Sequence, residues 1–367
     1  MLLDQIDSRE PLVAEVPPSD TSYGSITAPP HDSDAVFWLT MRRHASQELA
    51  RSTEIMWDAS GVSTDRPPAP DIHPSTWLHR GAVLLERADP VLIRSLRQAA
   101  ASTRPVVVVR GLPVSVVPPP TPYDGVVDLT ASRQAIINLH AIVGCLGLHP
   151  VAYARESAST LHAVCPLTKA RGELSSHGFD SALPAHTDYA DRPIDESALD
   201  QSPAAAILAF AIERAKAETP MQCIPLRRLL SALSPEQIAA GHREEFMVRA
   251  PAIFGSGHPP RLRRLFLPDS GAGIRCRLNL GTMHGLTPRA ARLLHEIRDI
   301  LSDAAMVETI HVRRGDIVIM DNQRTLHRRG SFAPRWDGTD RYFIRMSAAH
   351  DCRAGLATDA RRPWIWS

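Results

Sequence analysis

Six short runs rich in apolar and β-branched residues recur between residues 105 and 348. They are PVVVVRGL (105–112), AAILAFAI (205–212), EEFMVRAPAIF (244–254), IRCRLNL (274–280), GDIVIMDN (315–322) and RYFIRMSA (341–348). The first is apolar without alternation, which suits a strand covered on both faces. A chain with this many strand-like runs must fold around sheets. No G-x-x-x-x-G-K-[ST] or G-x-G-x-x-G loop appears, so a doubly wound nucleotide-binding sheet is disfavoured. The pattern predicts an antiparallel β core decorated by helices, with a helical front end.

Helix ends are legible between the runs. Asp89 can cap DPVLIRSLRQAAAST, with Pro90 at the first helical position and Leu92, Leu96 and Ala99 on one face. Ser234 and Gln237 form a capping-box pair in SPEQIAAG, which stops at Gly241. Thr287 and Pro288 open a helix that lines up Leu293, Leu294, Ile297 and Leu301. Proline clusters mark an extended arm at 15–34 and loops at 63–75 and 113–125. The organisation expected is a Pro-rich arm over 1–34 and one domain over 35–367. That domain divides into a helical part (35–104), the β core (105–348) and a tail (349–367).

Bulk properties exclude several classes. With 41 basic and 40 acidic residues the formal charge is +1, which gives no electrostatic case for nucleic acid or an anionic membrane. No apolar segment approaches the length of a membrane span. The five cysteines form no CxxC pair and are odd in number, so no disulfide framework is expected. The start, MLLDQIDSREPLV, lacks the basic and apolar regions of a signal peptide, and a cytoplasmic location is expected.

The sequence has 16 histidines and contains two His-x-acid pairs, His186/Asp188 and His242/Glu244. The second follows a helix stop in the charged run GHREEF and reads as a solvated loop. The first, in LPAHTDYADRPID, leads towards an apolar strand. On a strand, residues two apart face one side, so an imidazole and a carboxylate there could converge on one ion. With a second histidine they would form the facial set that binds non-haem Fe(II) and leaves three coordination positions open. A candidate is His327, in a turn after the 315–322 strand, from which it could reach back across a barrel. On the next strand Arg341, Phe343 and Arg345 alternate onto one face. Two buried guanidinium groups without acidic partners on the same strand would be costly, unless a dicarboxylate co-substrate and a substrate carboxylate complete them.

HTD at 186–188 together with LHRRGSFAPRWDGTDRYFIR at 326–345 resembles the iron- and 2-oxoglutarate-dependent oxygenases. Within them it is most similar to the clavaminate synthase-like amino-acid hydroxylases, which are related to taurine dioxygenase. VVVVRGLPV, LHAVCPL and ETPMQCIPLRRLLSALSPEQIAA extend the likeness, which spans approximately residues 85 to 348. The resemblance implies an α+β fold with a double-stranded β-helix (jelly-roll, cupin-like) core, flanking helices and an N-terminal extension. It implies Fe(II) on His186, Asp188 and His327, with 2-oxoglutarate and O2 as co-substrates. Arg341 and Thr219 would hold the distal carboxylate of 2-oxoglutarate. Arg345, Ser176 and Glu156 would contact an amino-acid substrate. Many relatives carry Glu where this sequence has Asp188, and halogenases of this chemistry carry a small residue there, so Asp188 argues against halogenation. After HTDYA, the sequence DRPIDES departs from the lid of its relatives.

The activity implied is hydroxylation of an unactivated carbon of a free L-amino acid or derivative in natural-product biosynthesis, releasing succinate and CO2. Desaturation, cyclisation or a carrier-tethered substrate are the neighbouring outcomes. A non-catalytic metal-binding jelly roll and a zinc hydrolase are the readings from other classes. A homodimer is compatible with the sequence.

Overall fold

The computed structural model describes residues 33–58, 74–154, 156, 158–194, 203–250, 259–269, 273–351, 357 and 362–366. The expected arm therefore lies outside the described residues except for 33 and 34, as does most of the loop expected at 63–75.

The strands in chain order are β1 (Val36–Thr40), β2 (Val106–Arg110), β3 (His149–Tyr153), β4 (His162–Val164), β5 (Leu183–His186), β6 (Ile207–Arg214) and β7 (Met221–Pro225). Five three-residue strands follow: β8 (Phe246–Val248), β9 (Arg261–Arg263), β10 (Phe266–Pro268), β11 (Ile274–Cys276) and β12 (Met283–Gly285). The last are β13 (Glu308–Ile310), β14 (Ile317–Asp321), β15 (Thr325–Arg329), β16 (Tyr342–Ala349) and β17 (Ile365–Trp366). The helices are α1 (Arg43–Asp58), α2 (Pro74–Ala88), α3 (Pro90–Ala100), α4 (Arg133–Cys145), α5 (Leu226–Ser231), α6 (Pro235–Gly241) and α7 (Pro288–Ser302).

Two sheets carry the architecture. The larger runs β1-β2-β14-β6-β16-β3-β17, with β4 also on β16, and the smaller runs β13-β7-β15-β5. Pairing is antiparallel throughout the smaller sheet. In the larger one only β1 with β2 and β17 with β3 are parallel.

Alternation assigns each side chain to a layer. Val106 and Val108 of β2, Leu208, Phe210 and Ile212 of β6, and Val318 and Met320 of β14 pack with Met221 and Cys223 of β7 and Ile310 of β13, forming the core between the sheets. Their neighbours Val107, Val109, Ala209, Ala211, Ile317 and Ile319 face the other way, onto α1 to α4. This is why the valine run is apolar without a break: both of its faces are covered. A third core, on the outside of the smaller sheet, joins Ile224 and Leu326 to α5, α6 and α7.

The helix caps follow the expected chemistry. Asp89 accepts from the Leu92 N–H at 3.1 Å, Ser234 and Gln237 form the full capping box, and Thr287 accepts from the Ala290 N–H at 3.2 Å. Gly241 is required for packing and not for a left-handed turn, since a Cβ there would lie 2.2 Å from the Phe266 ring.

Several expectations need correction. The front end is not purely helical, because β1 joins the larger sheet. The strand expected over 244–254 is only β8, with residues 251–258 outside the described set, and the run at 274–280 is strand only in β11. Helix α4 was unforeseen, and it lies within the stretch expected to be β core. It buries Ile136, Ile137, Leu139, Ala141, Ile142 and Val143, so it carries no polar stripe from which to read a helical period.

Glu213, at the end of β6, is buried and 3.6 Å from Arg314. Burial outweighs the arginine and pushes its carboxyl up to about 7. A raised acid pKa stabilises the fold fully below the unfolded value near 4.5, and that contribution is lost as pH rises through about 7. Glu213→Gln should therefore remove roughly 3 kcal/mol of pH dependence between these limits. Urea unfolding of both proteins at several pH values checks this, and parallel curves would refute it.

Candidate active site

His186 ends β5. The backbone then leaves the strand. The Thr187 N–H donates to Leu278 O at 2.7 Å, and the Leu278 N–H donates to Thr187 Oγ1 at 3.2 Å. Asp188 is thus not a second strand residue, as alternation predicted. Instead the Asn322 carboxamide clamps it: the Asp188 N–H donates to Asn322 Oδ1 at 2.9 Å, and Asn322 Nδ2 donates to Asp188 O at 3.1 Å.

His327 lies within β15 and not in a turn. It pairs directly opposite His186, and the ring centroids are 4.1 Å apart. The third member of the cluster is therefore a cross-strand neighbour and does not reach across a barrel. Nε2 of His186 and of His327 lie 3.4 and 3.5 Å from Asp188 Oδ1. The three candidate ligand atoms all fall within 4.8 Å of one another.

The donor set suits a divalent ion. Nδ1 of His186 is 2.8 Å from Pro184 O, so an Nδ1–H donor there leaves Nε2 with a free lone pair facing the cluster. Burial, then His186, holds His327 below the usual imidazole range. Burial works against ionisation of Asp188, but Arg345 and the two histidines outweigh it and hold the carboxyl well below its usual value. Two imidazoles and a carboxylate on one side of an ion would leave its other side open.

The two arginines behave differently. Arg341 is buried, with its guanidinium 4.1 Å from the centre of the Phe343 ring. Its Nε has no hydrogen-bond partner, and it forms no ion pair among the described residues. Burial, then the nearby Arg329, pushes its pKa down to about 9. Arg345, expected to meet a substrate carboxylate, has two acidic partners from other segments: Nη1 donates to Asp188 Oδ2 at 2.8 Å and Nη2 to Glu156 Oε1 at 2.5 Å. Glu156 Oε2 in turn accepts from the Tyr189 hydroxyl at 2.8 Å.

One cavity is lined by His186, Asp188, His327, Arg341, Arg345, Glu156 and Ser176. Thr219 is not on its wall. It is buried with its hydroxyl unpartnered, just before β7, whose Met221 and Gln222 do line the cavity. Sequence reasoning passed over Arg329, which is buried on the cavity wall with Nη1 and Nη2 on Gly330 O and Ser181 O. It also passed over Asn322. Alternation from His327 along β15 is the signal that would have found Arg329. No pattern pointed to the asparagine.

Residues 229–347 match the family model described as taurine catabolism dioxygenase TauD, TfdA family. The protein is 28% identical to L-asparagine oxygenase of Streptomyces coelicolor over 308 residues, covering 83% of this chain and 88% of that protein. It is 26% identical to clavaminate synthase 2 of Streptomyces clavuligerus over 314 residues, covering 80% and 89%. The structure of asparagine oxygenase with Fe(II), 2S,3S-3-hydroxyasparagine and succinate superposes with a TM-score of 0.73 at 23% identity, over 90% of this chain and 99% of that one. With the iron oxygenase OrfP bound to Fe, succinate and (3S)-hydroxy-L-Arg, the TM-score is 0.71 at 21% identity, over 90% and 100%. By these matches the protein is similar to dioxygenases of the TauD/TfdA family, and it shares their fold.

Proposed function

We propose that this protein hydroxylates an unactivated carbon of a free L-amino acid or a close derivative, in natural-product biosynthesis. Fe(II), 2-oxoglutarate and O2 take part, with release of succinate and CO2. One observation carries the reading. One cavity holds the three-residue cluster, a buried guanidinium with no ion pair among the described residues (Arg341), and a buried Arg345–Glu156 ion pair. That pair complements a zwitterion, offering a cation to the α-carboxylate and an anion to the α-ammonium. The relatives named above include an L-asparagine oxygenase and a clavaminate synthase, and the two solved structures hold hydroxylated asparagine or arginine.

In this reading the domain spans 35–367 around a double-stranded β-helix core. His186, Asp188 and His327 hold the iron. Arg341 binds the distal carboxylate of 2-oxoglutarate, with the buried Thr219 hydroxyl assigned to the same end, and Ser176 faces the substrate. Bound iron supplies oxygen activation coupled to oxidative decarboxylation of 2-oxoglutarate. The protein's own work is positional: Arg345 and Glu156 fix the substrate backbone so that one of its C–H bonds faces the centre, and the buried walls exclude water.

Succinate release should therefore depend on one or a few free L-amino acids, with a product that has gained one oxygen. The primary amide of the best substrate should lose about 30-fold or more in kcat/KM, since a buried charge contact is worth roughly 2 kcal/mol or more. Equal turnover of acid and amide would sink the free-acid reading and favour a carrier-tethered substrate. A product lacking two hydrogens would favour desaturation or ring closure.

A further inference from the structure

The carboxylate of Asp188 is divided between two jobs. Oδ1 lies between Nε2 of His186 and of His327, at 3.4 and 3.5 Å, while Oδ2 accepts from Arg345 Nη1 at 2.8 Å. The guanidinium is itself held from the far side, through Nη2 on Glu156, whose other oxygen takes the Tyr189 hydroxyl. The Asp188 backbone is fixed independently by Asn322. With its main chain clamped and one oxygen engaged, the side chain has a single oxygen to offer the histidine side. A carboxylate without such a partner can grip an ion through both oxygens.

We propose that Arg345 is a positioning residue for the metal centre, keeping Asp188 a one-oxygen ligand so that the positions needed by 2-oxoglutarate and oxygen stay open. This inference rests on assigning His186, Asp188 and His327 to the metal. It gives Arg345 a role before any substrate arrives, beyond the substrate contact assigned above. It also has an unusual sign. Arg345 places a positive charge beside a cation site and withholds a donor atom, so both effects weaken metal binding. The arginine trades affinity for open coordination.

The test is titration of the full-length apoprotein with Co(II), whose visible absorption reports ligand number. Wild type, Arg345→Met and Arg345→Lys are compared, with far-UV circular dichroism to verify folding. Arg345→Met should bind Co(II) at least about tenfold more tightly, because a neighbouring unit charge is removed and a second oxygen is freed. Its absorption band should change, and added 2-oxoglutarate should perturb that band less than in wild type. Arg345→Lys, which keeps the charge and one donor, should stay near wild type. A purely structural role would lower the melting temperature while leaving band and affinity unchanged. An unchanged band and affinity in Arg345→Met, or weaker binding, would overturn the proposal. If that variant does not fold, Arg345→Lys decides: a wild-type spectrum supports the proposal, and an altered spectrum with weaker binding overturns it. Wild type that fails to bind Co(II), or binds it equally well after His327→Ala, would instead overturn the metal-site assignment.

Discussion

His327→Ala protein, mixed anaerobically with Fe(II) and 2-oxoglutarate, should show no visible charge-transfer band, and its succinate release should fall by more than about 100-fold. Changes to residues that merely orient a metal ligand already cost about 10- to 100-fold, so loss of a ligand itself must exceed that. No substitute is at hand, because the cluster contains only three groups among the described residues. The change should spare the fold. His327 is held by backbone pairing of β15 with β7, its Nδ1 has no hydrogen-bond partner among the described residues, and burial already disfavours its charged form. Little polar bonding is lost with the ring, and the apoprotein should keep its sheet signature. The two readouts together separate a ligand from a structural histidine. A folded variant that retains the band would remove His327 from the metal site, and a variant that unfolds would mark it as structural.

The contrast between His327 and Asn322 shows what a sequence can carry. The cluster residues were legible because their chemistry is rare and their C-terminal block is dense in it. Their placement was harder to read. Alternation put His186 and Asp188 on one strand, yet the strand stops at His186, and the pair converges because Thr187 and Leu278 bond to each other and Asn322 clamps Asp188. Those partners lie 91 and 134 residues away, beyond any local period. The acidic partners of Arg345 were hidden for the same reason, since Glu156 and Asp188 come from loops on separate elements. Strands with one apolar and one polar face declare themselves by alternation, and β2, covered on both, declared itself by its valines. Helix α4 is covered on nearly every side and has neither signal. The lid departure at DRPIDES remains a sequence observation beyond residue 194, because 195–202 lie outside the described residues.

Arg341→Met should separate binding from stability in opposite directions. In the protein without co-substrate this guanidinium is buried, with Nε unpartnered and no ion pair among the described residues, and its pKa is pushed down to about 9 by that burial. Replacing an uncompensated buried cation with an apolar group of similar length should be neutral or stabilising, on the order of 1 kcal/mol. The apoprotein's melting temperature should hold or rise. Binding of 2-oxoglutarate should suffer heavily, because truncating one side of a buried charge contact costs roughly 2 to 5 kcal/mol, a rise in Kd of about 30-fold to several thousandfold. The thermal upshift that 2-oxoglutarate gives the wild type should then vanish, since that upshift scales with occupancy. An ordinary structural arginine gives the reverse pattern, a lower apoprotein melting temperature with ligand protection intact. That outcome would reassign Arg341 to the scaffold and leave the dicarboxylate to the nearby Arg329, another buried guanidinium on the same cavity wall.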